Sequence, residues 1–193
     1  DCIGVLTSGG DAPGMNANVR AVVRTARAHG KRVFGIRNGY AGMLEDDIFE
    51  MDTRSVGGII GRGGTILGTA RCAEFREPEG RERAARNLRD HGIEGIVVCG
   101  GDGSFHGAHA LYQEQGVAVL GTPRPIDYDL AGPDLTTGFD TPVNTAPPSL
   151  DRILDTAESH RRILIVQVLR RIAGLLALAV GTPGRQHATL LPE

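Results

Sequence analysis

The sequence predicts an α/β fold: three layers, with a mostly parallel sheet carrying helices on both faces. Three observations predict it. Short aliphatic runs alternate with stretches of helical spacing along the chain. Two of those runs lead directly into glycine-rich turns, Ser8-Gly-Gly-Asp-Ala-Pro-Gly14 and Gly100-Gly-Asp-Gly103. The composition is that of a globular chain, with 193 residues, 40% apolar and 23% charged, long enough to bury a core without staples.

The elements follow in order. Ile3 to Thr7 reads as a short buried strand, and the first glycine turn follows it. Asn16 to His29 carries Val19, Val22, Val23 and Ala26 at helical spacing, with Gly30 as its stop. Arg32 to Arg37 is the second strand. Arg81 to His91 reads as a helix ended by Gly92, and Ile93 to Cys99 as the strand after it. The second glycine turn then opens a helix that runs to Gln115. Val117 to Leu120 is a further strand. Ile163 to Val168 is another, with a helix before it, and Ala188 to Leu191 is the last. Prolines 142, 147 and 148 cluster where a domain boundary is expected. The division is placed as 1–138 for a larger ligand-binding domain and 139–193 for the start of a smaller one. The chain stops at Pro192-Glu193 without a terminal helix, so it is expected to be cut short.

Several classes are excluded. Net charge is −2 with no basic arm, which argues against nucleic-acid binding. The cations are almost all arginine, with Lys31 the only lysine, a bias that also arises from codon usage. Cys2, Cys72 and Cys99 lack metal-ligand spacing and are odd in number, so neither a disulfide framework nor a zinc site is expected. The longest apolar run, Leu175 to Val180, is too short to span a bilayer. No charged-then-apolar leader opens the sequence, and a cytoplasmic setting is expected.

The chemistry sits in the glycine loops. Glycines let backbone amides approach an anion closely, and the following helix start adds positive potential. Asp11 and Asp102 fit either a Mg²⁺ ion among phosphates or helix capping. Arg62-Gly-Gly-Thr-Ile-Leu-Gly-Thr-Ala-Arg71 is a third glycine-rich stretch and reads as a surface loop. Arg71, Arg76 and Arg81 follow at intervals of five, which is not a helical contact spacing. Asp127 and Asp129 lie two apart, so in extended chain they share a side and could serve a base and a metal. By spacing alone, turn chemistry is the better account of them. His106 and His109 read as solvated helix residues.

These three motifs, in this order and spacing, resemble the 6-phosphofructokinases, specifically the amino-terminal portion of the bacterial ATP-dependent type. The resemblance implies a Rossmann-like, phosphofructokinase-like fold. It implies transfer of the γ-phosphoryl of MgATP to the 1-hydroxyl of fructose 6-phosphate, giving fructose 1,6-bisphosphate and ADP in glycolysis. By the same resemblance, Gly10, Tyr40, Arg71, Cys72, Gly101, Asp102, Gly103, Ser104 and Gly107 bind the nucleotide, and Asp102 holds Mg²⁺. Asp127 is the base, Asp129 supports it, and Arg71 reaches the transferring phosphoryl group. Arg162, Leu169 and Arg171 join Asp127 and Asp129 in binding the sugar phosphate. Arg162 matches an arginine that crosses a subunit interface, which implies a homo-oligomer, a tetramer in bacterial forms. Arg20 and Arg24 match an allosteric effector site. No nucleic-acid or membrane partner is implied.

Departures from the family pattern lie in the sugar half. Pro125-Ile-Asp-Tyr-Asp129 stands for Thr-Ile-Asp-Asn-Asp. Leu169-Arg-Arg-Ile-Ala-Gly174 stands for Met-Gly-Arg-His-Ala-Gly. Gln167 replaces a carboxylate, and Leu154 stands where an effector arginine is usual. Gly103 favours ATP, because pyrophosphate-dependent relatives tend to carry Asp there, whereas a cation at Arg124 resembles the pyrophosphate type. The alternatives are therefore a catalytically degenerate nucleotide-binding relative, a pyrophosphate-dependent phosphofructokinase, or a kinase of this fold acting on another substrate.

Overall fold

The computed structural model describes residues 1–126, 130, 132–169, 174–184 and 186–191. It divides into two compact units, Asp1–Arg124 and Pro125–Glu193. The expected boundary at residue 138 falls inside the second unit.

The first unit is built on a five-stranded sheet ordered β3-β2-β1-β4-β5. Its strands are β1 (Cys2–Thr7), β2 (Arg32–Ile36), β3 (Ile48–Met51), β4 (Gly95–Gly100) and β5 (Ala118–Pro123). All neighbours pair in parallel except β2 and β3. The helices are α1 (Met15–Ala28), α2 (Tyr40–Glu45), α3 (Pro78–Asp90) and α4 (Asp102–Gln115).

Strand alternation divides the core into two layers. Leu6, Ile36, Ile96 and Val98 face the side covered by Met43 of α2, Ala84 and Leu88 of α3, and Ala108 and Leu111 of α4. Val5, Val33 and Val97 face the other side, under Val19, Val23 and Ala26 of α1 and the buried loop residues Val56, Ile59 and Leu67. The three-layer α/β architecture expected from the sequence is thus present.

Two elements of this unit were not legible. Helix α2 is six residues long and β3 is four, too short for either period to register. The antiparallel β3 closes one edge, and Arg32 of β2 forms a two-pronged hydrogen bond to Glu50 of β3 at 2.8 and 3.2 Å.

The second unit contains α5 (Asp140–His160) and α6 (Leu175–Gly181). Two strand expectations are corrected here. Residues 163–168 form no strand, and Ile163 and Ile165 are 94% and 89% exposed. Residues 188–191 form none either. An aliphatic run becomes a strand only beside a neighbour that completes its hydrogen bonds, and no described residue of this unit is in a strand. The helix expected before residue 163 is α5, and it continues through Pro147 and Pro148, although proline in a helix interior costs about 3 kcal/mol. The apolar run from Leu175 forms α6, with Leu176 and Val180 buried.

Candidate functional site

The carboxyl ends of β1 and β4 lie side by side, with Thr7 opposite Cys99. Ligands of parallel sheets bind at such strand ends. Both glycine turns leave from this point. Gly9 and Gly14 take φ of 84° and 88°, a left-handed backbone that a side chain would strain, and Gly14 starts α1. Neither α1 nor α4 has a side-chain cap hydrogen bond, so Asp11 and Asp102 do not serve as caps. Both carboxylates are exposed instead.

The two loops are joined directly. Ser8 N–H donates to Cys99 O at 3.0 Å, and Ser104 Oγ donates to Ser8 Oγ at 2.9 Å, with both serines buried. A methyl group built on Gly10 or Gly103 would meet nothing within 4 Å, so both positions border open space. Arg124 lies over the first loop, its Nη2 within 2.6 Å of where a Gly9 Cβ would stand. Its backbone N–H donates to Gly100 O at 3.1 Å.

The third glycine stretch folds onto the first. Thr7 Oγ1 lies 2.8 Å from Thr65 Oγ1 and donates to Gly68 O at 2.8 Å. Thr69 Oγ1 donates to Gly9 O at 2.6 Å. Asn16, buried at the start of α1, donates from Nδ2 to Arg62 O and Gly63 O at 3.0 and 3.2 Å. Its Oδ1 accepts from Ile66 N–H at 2.8 Å. The expected surface loop is therefore tied down along its length. Arg71, its last residue, is exposed.

Of the remaining expected nucleotide residues, Tyr40 is buried and donates its hydroxyl to Ser104 O at 2.6 Å. Burial pushes its phenol well above the usual range, so it remains a donor. Its ring stacks on Phe75, centroids 3.9 Å apart, and Gly107 packs against both rings. Cys72 is half-buried against the same cluster. Gly10, Tyr40, Cys72, Gly101, Asp102, Gly103, Ser104 and Gly107 thus stand on connected segments of one unit. Arg76 is exposed, whereas Arg81 is buried, pairs with Glu114 and donates to Arg76 O at 2.6 Å.

Other expectations fall elsewhere. Arg20 donates to Val56 O at 2.6 Å, and Arg24 is exposed one turn further along α1. In the second unit Arg162 is exposed and Leu169 half-buried. Asp127, Asp129 and Arg171 lie outside the described residues. Among the described residues there is no cluster of three or more His, Cys, Asp or Glu side chains able to hold a metal. His106 and His109 are exposed, with His106 Nδ1 3.4 Å from Asp102 Oδ1. No described helix is long and apolar enough to cross a membrane.

Sequence reasoning missed Ser8, Asn16, Thr65 and Phe75. A signal for the first two was present: polar residues immediately flanking a glycine turn at the end of a buried strand must find partners.

The chain is similar to known proteins in both sequence and fold. Residues 2–193 match the family model described as Phosphofructokinase. The chain is 53% identical over 191 residues to an ATP-dependent 6-phosphofructokinase of Halothermothrix orenii, covering 99% of this chain and 58% of that protein. It is also 53% identical to one from Clostridium botulinum, covering 60% of that protein. The chain therefore spans less than two thirds of the length of these curated relatives. Among solved structures, the phosphofructokinase of Saccharomyces cerevisiae superposes with a TM-score of 0.87 at 41% identity, over 94% of this chain and 28% of that one. A pyrophosphate-dependent phosphofructokinase from Marinobacter aquaeolei gives 0.81 at 25% identity, over 96% and 50%.

Proposed function

The chain belongs to the phosphofructokinase family, and from that premise we propose that it carries the nucleotide site of an ATP-dependent 6-phosphofructokinase. The reaction is transfer of the γ-phosphoryl of MgATP to the 1-hydroxyl of fructose 6-phosphate. One observation carries the reading: three glycine-rich loops, two of them opening helices, are hydrogen-bonded to one another at the ends of adjacent parallel strands.

Phosphoryl transfer needs alignment and neutralised charge more than covalent chemistry. Gly10, Gly101, Gly103 and Ser104 present backbone at the start of α4 and beside it, where phosphate oxygens find amide donors and a favourable helix dipole. Asp102 is the residue that would hold Mg²⁺ among those phosphates, and its exposed carboxylate beside the open position at Gly103 fits that role. The metal, when bound, supplies neutralisation of phosphate charge. Tyr40, Cys72 and Gly107 border the nucleoside. Arg71 offers a guanidinium to charge that develops on the transferring group.

The sugar half rests on the family resemblance alone. In it Asp127 accepts the proton of the 1-hydroxyl, Asp129 supports it, and Arg162, Leu169 and Arg171 bind the sugar phosphate. Arg162 acting from a neighbouring subunit makes the protein a homo-oligomer, and Arg20 and Arg24 form an effector site. A soluble cytoplasmic enzyme of glycolysis is consistent with all of these roles.

A second reading, pyrophosphate as donor, is favoured by one feature: the Arg124 guanidinium over Gly9. Steady-state formation of fructose 1,6-bisphosphate, run with MgATP and with magnesium pyrophosphate side by side, separates the two. The ATP reading expects turnover with MgATP that collapses in Asp127→Ser. Turnover with pyrophosphate alone overturns it.

A further inference from the structure

One side chain of the third glycine loop has no part in the reaction described above, yet it grips the first loop. The half-buried Thr69 donates its hydroxyl to Gly9 O at 2.6 Å. The backbone that presents it is fixed independently of that bond. Leu67 is buried, and its carbonyl accepts from Asn38 N–H at 2.8 Å. The Gly68 carbonyl accepts from the hydroxyl of the fully buried Thr7 at 2.8 Å. Gly68 itself makes the turn, at φ 69°. Thr69 therefore reaches Gly9 from a seat that its own hydroxyl does not build.

The accepting atom gives this bond its consequence. Gly9 O and Gly10 N–H belong to one planar trans peptide group and point in opposite directions. Whatever holds the oxygen therefore aims the amide. With the oxygen held to the third loop, Gly10 N–H faces away from that loop. Among the described residues it donates to none, and a Cβ on Gly10 would stand in open space. The bonds of Ser8 to Cys99 O and Ser104 Oγ end one residue short of this peptide. Because glycine stands on both sides of it, rotation of the peptide meets little steric resistance. A half-turn would put a carbonyl oxygen where the donor stood. Toward a phosphate, that exchanges attraction for repulsion.

We propose that Thr69 is a positioning residue whose hydroxyl locks the Gly9–Gly10 peptide with Gly10 N–H turned toward the bound polyphosphate. This rests on the nucleotide reading above and deepens it. In this role Thr69 touches no ligand. Its effect reaches the ligand through one backbone amide, so it belongs to the phosphates and not to the nucleoside. ATP and a bare polyphosphate should lose alike when the hydroxyl is removed.

Calorimetric titration of the whole chain with Mg-ATP and with magnesium tripolyphosphate tests it, together with the NMR signal of the Gly10 amide. Thr69→Val removes the hydroxyl at nearly constant shape, and Thr69→Ser keeps it. Thr69→Ala, which adds no atom, carries the test if circular dichroism shows that Thr69→Val does not fold. Expected is binding of both ligands about tenfold weaker in Thr69→Val, the size of one hydrogen bond to a charged group. Thr69→Ser should bind both as wild type does. The Gly10 amide proton should move downfield on saturation in wild type and Thr69→Ser, and stay in place in Thr69→Val. Unchanged affinity in Thr69→Val, or equal weakening in Thr69→Val and Thr69→Ser, overturns the proposal. So does a Gly10 amide that does not move when the wild type is saturated. Binding of neither ligand by the folded wild type overturns the nucleotide reading and this inference together.

Discussion

Replacing Asn16 by Ala removes three hydrogen bonds at once, all to the loop between Arg62 and Ile66. A protein hydrogen bond contributes about 1 kcal/mol net, and an orphaned buried group costs roughly 1–3 kcal/mol. The carbonyls of Arg62 and Gly63 belong to exposed residues and can turn to water, whereas Ile66 N–H belongs to a half-buried one. The expected loss in unfolding free energy is therefore about 2–3 kcal/mol, below the full sum of three bonds plus the orphan. Urea unfolding of both proteins measures it, provided the denaturant slope is unchanged. Asn16→Asp keeps the acceptor for Ile66 N–H and loses both donors, so it should fall between wild type and Asn16→Ala. Hydrogen exchange at Ile66 should rise with the first substitution and not with the second. A loss under about 0.5 kcal/mol in Asn16→Ala would refute the claim that this amide ties the third loop to α1, because that is the range of an ordinary surface change.

Three further expectations follow from the geometry. Gly42→Ala drives a methyl into Arg37 O, so thermal melts should show a destabilisation of roughly 1–3 kcal/mol, the range for overpacking. Cys72 is half-buried while Cys2 and Cys99 are buried with thiols pushed up chiefly by that burial, so alkylation of native protein should label Cys72 first, and ATP should slow it. Glu114, Glu50 and Asp52 are held below their ordinary values of 4.5, 4.5 and 3.8, by hydrogen bonds from Arg81, from Arg32 and from Ser55 N–H respectively. A depressed carboxyl contributes stability above its unfolded pKa and loses it as pH falls through the folded one. Stability should thus hold from neutral pH to about 5 and decline below about 4, and Glu114→Gln should shallow that acid slope.

Much of the first unit was legible because its elements are long and its ligand loops are local. The 3.6-residue spacing of Val19, Val23 and Ala26 gave α1, and apolar runs before each Gly-Gly-Asp gave β1 and β4. What escaped depends on distant partners. Thr7 meets Thr65 and Asn16 meets Arg62 across 58 and 46 residues, and no local pattern announces such pairs. Nothing local to Arg81 announced its partner, because Glu114 lies 33 residues away. The run from Ile163 to Val168 misled for the opposite reason: its composition suits a strand, but pairing is a property of the neighbours. Prolines 147 and 148 marked an expected break, yet the helix spans them, with Asn144 and Thr145 side chains bonding to Asp140 O and Thr141 O in the turn before.

The central claim is that the joined glycine loops of residues 1–124 hold the phosphates of a nucleotide. Gly103→Asp tests it most directly. A Cβ at Gly103 meets nothing within 4 Å, and a carboxylate in the first turn of α4 suits the helix dipole, so folding is spared. The same carboxylate would stand among bound phosphates, where repulsion at about 5 Å and an effective dielectric near 20 is about 3 kcal/mol per charge pair. Titration of wild type and Gly103→Asp with Mg-ATP should show saturable one-to-one binding that weakens at least about a hundredfold in the variant, with melting unchanged. Equal ATP affinity in the two folded proteins would contradict the placement of the phosphates, and with it the account of the site.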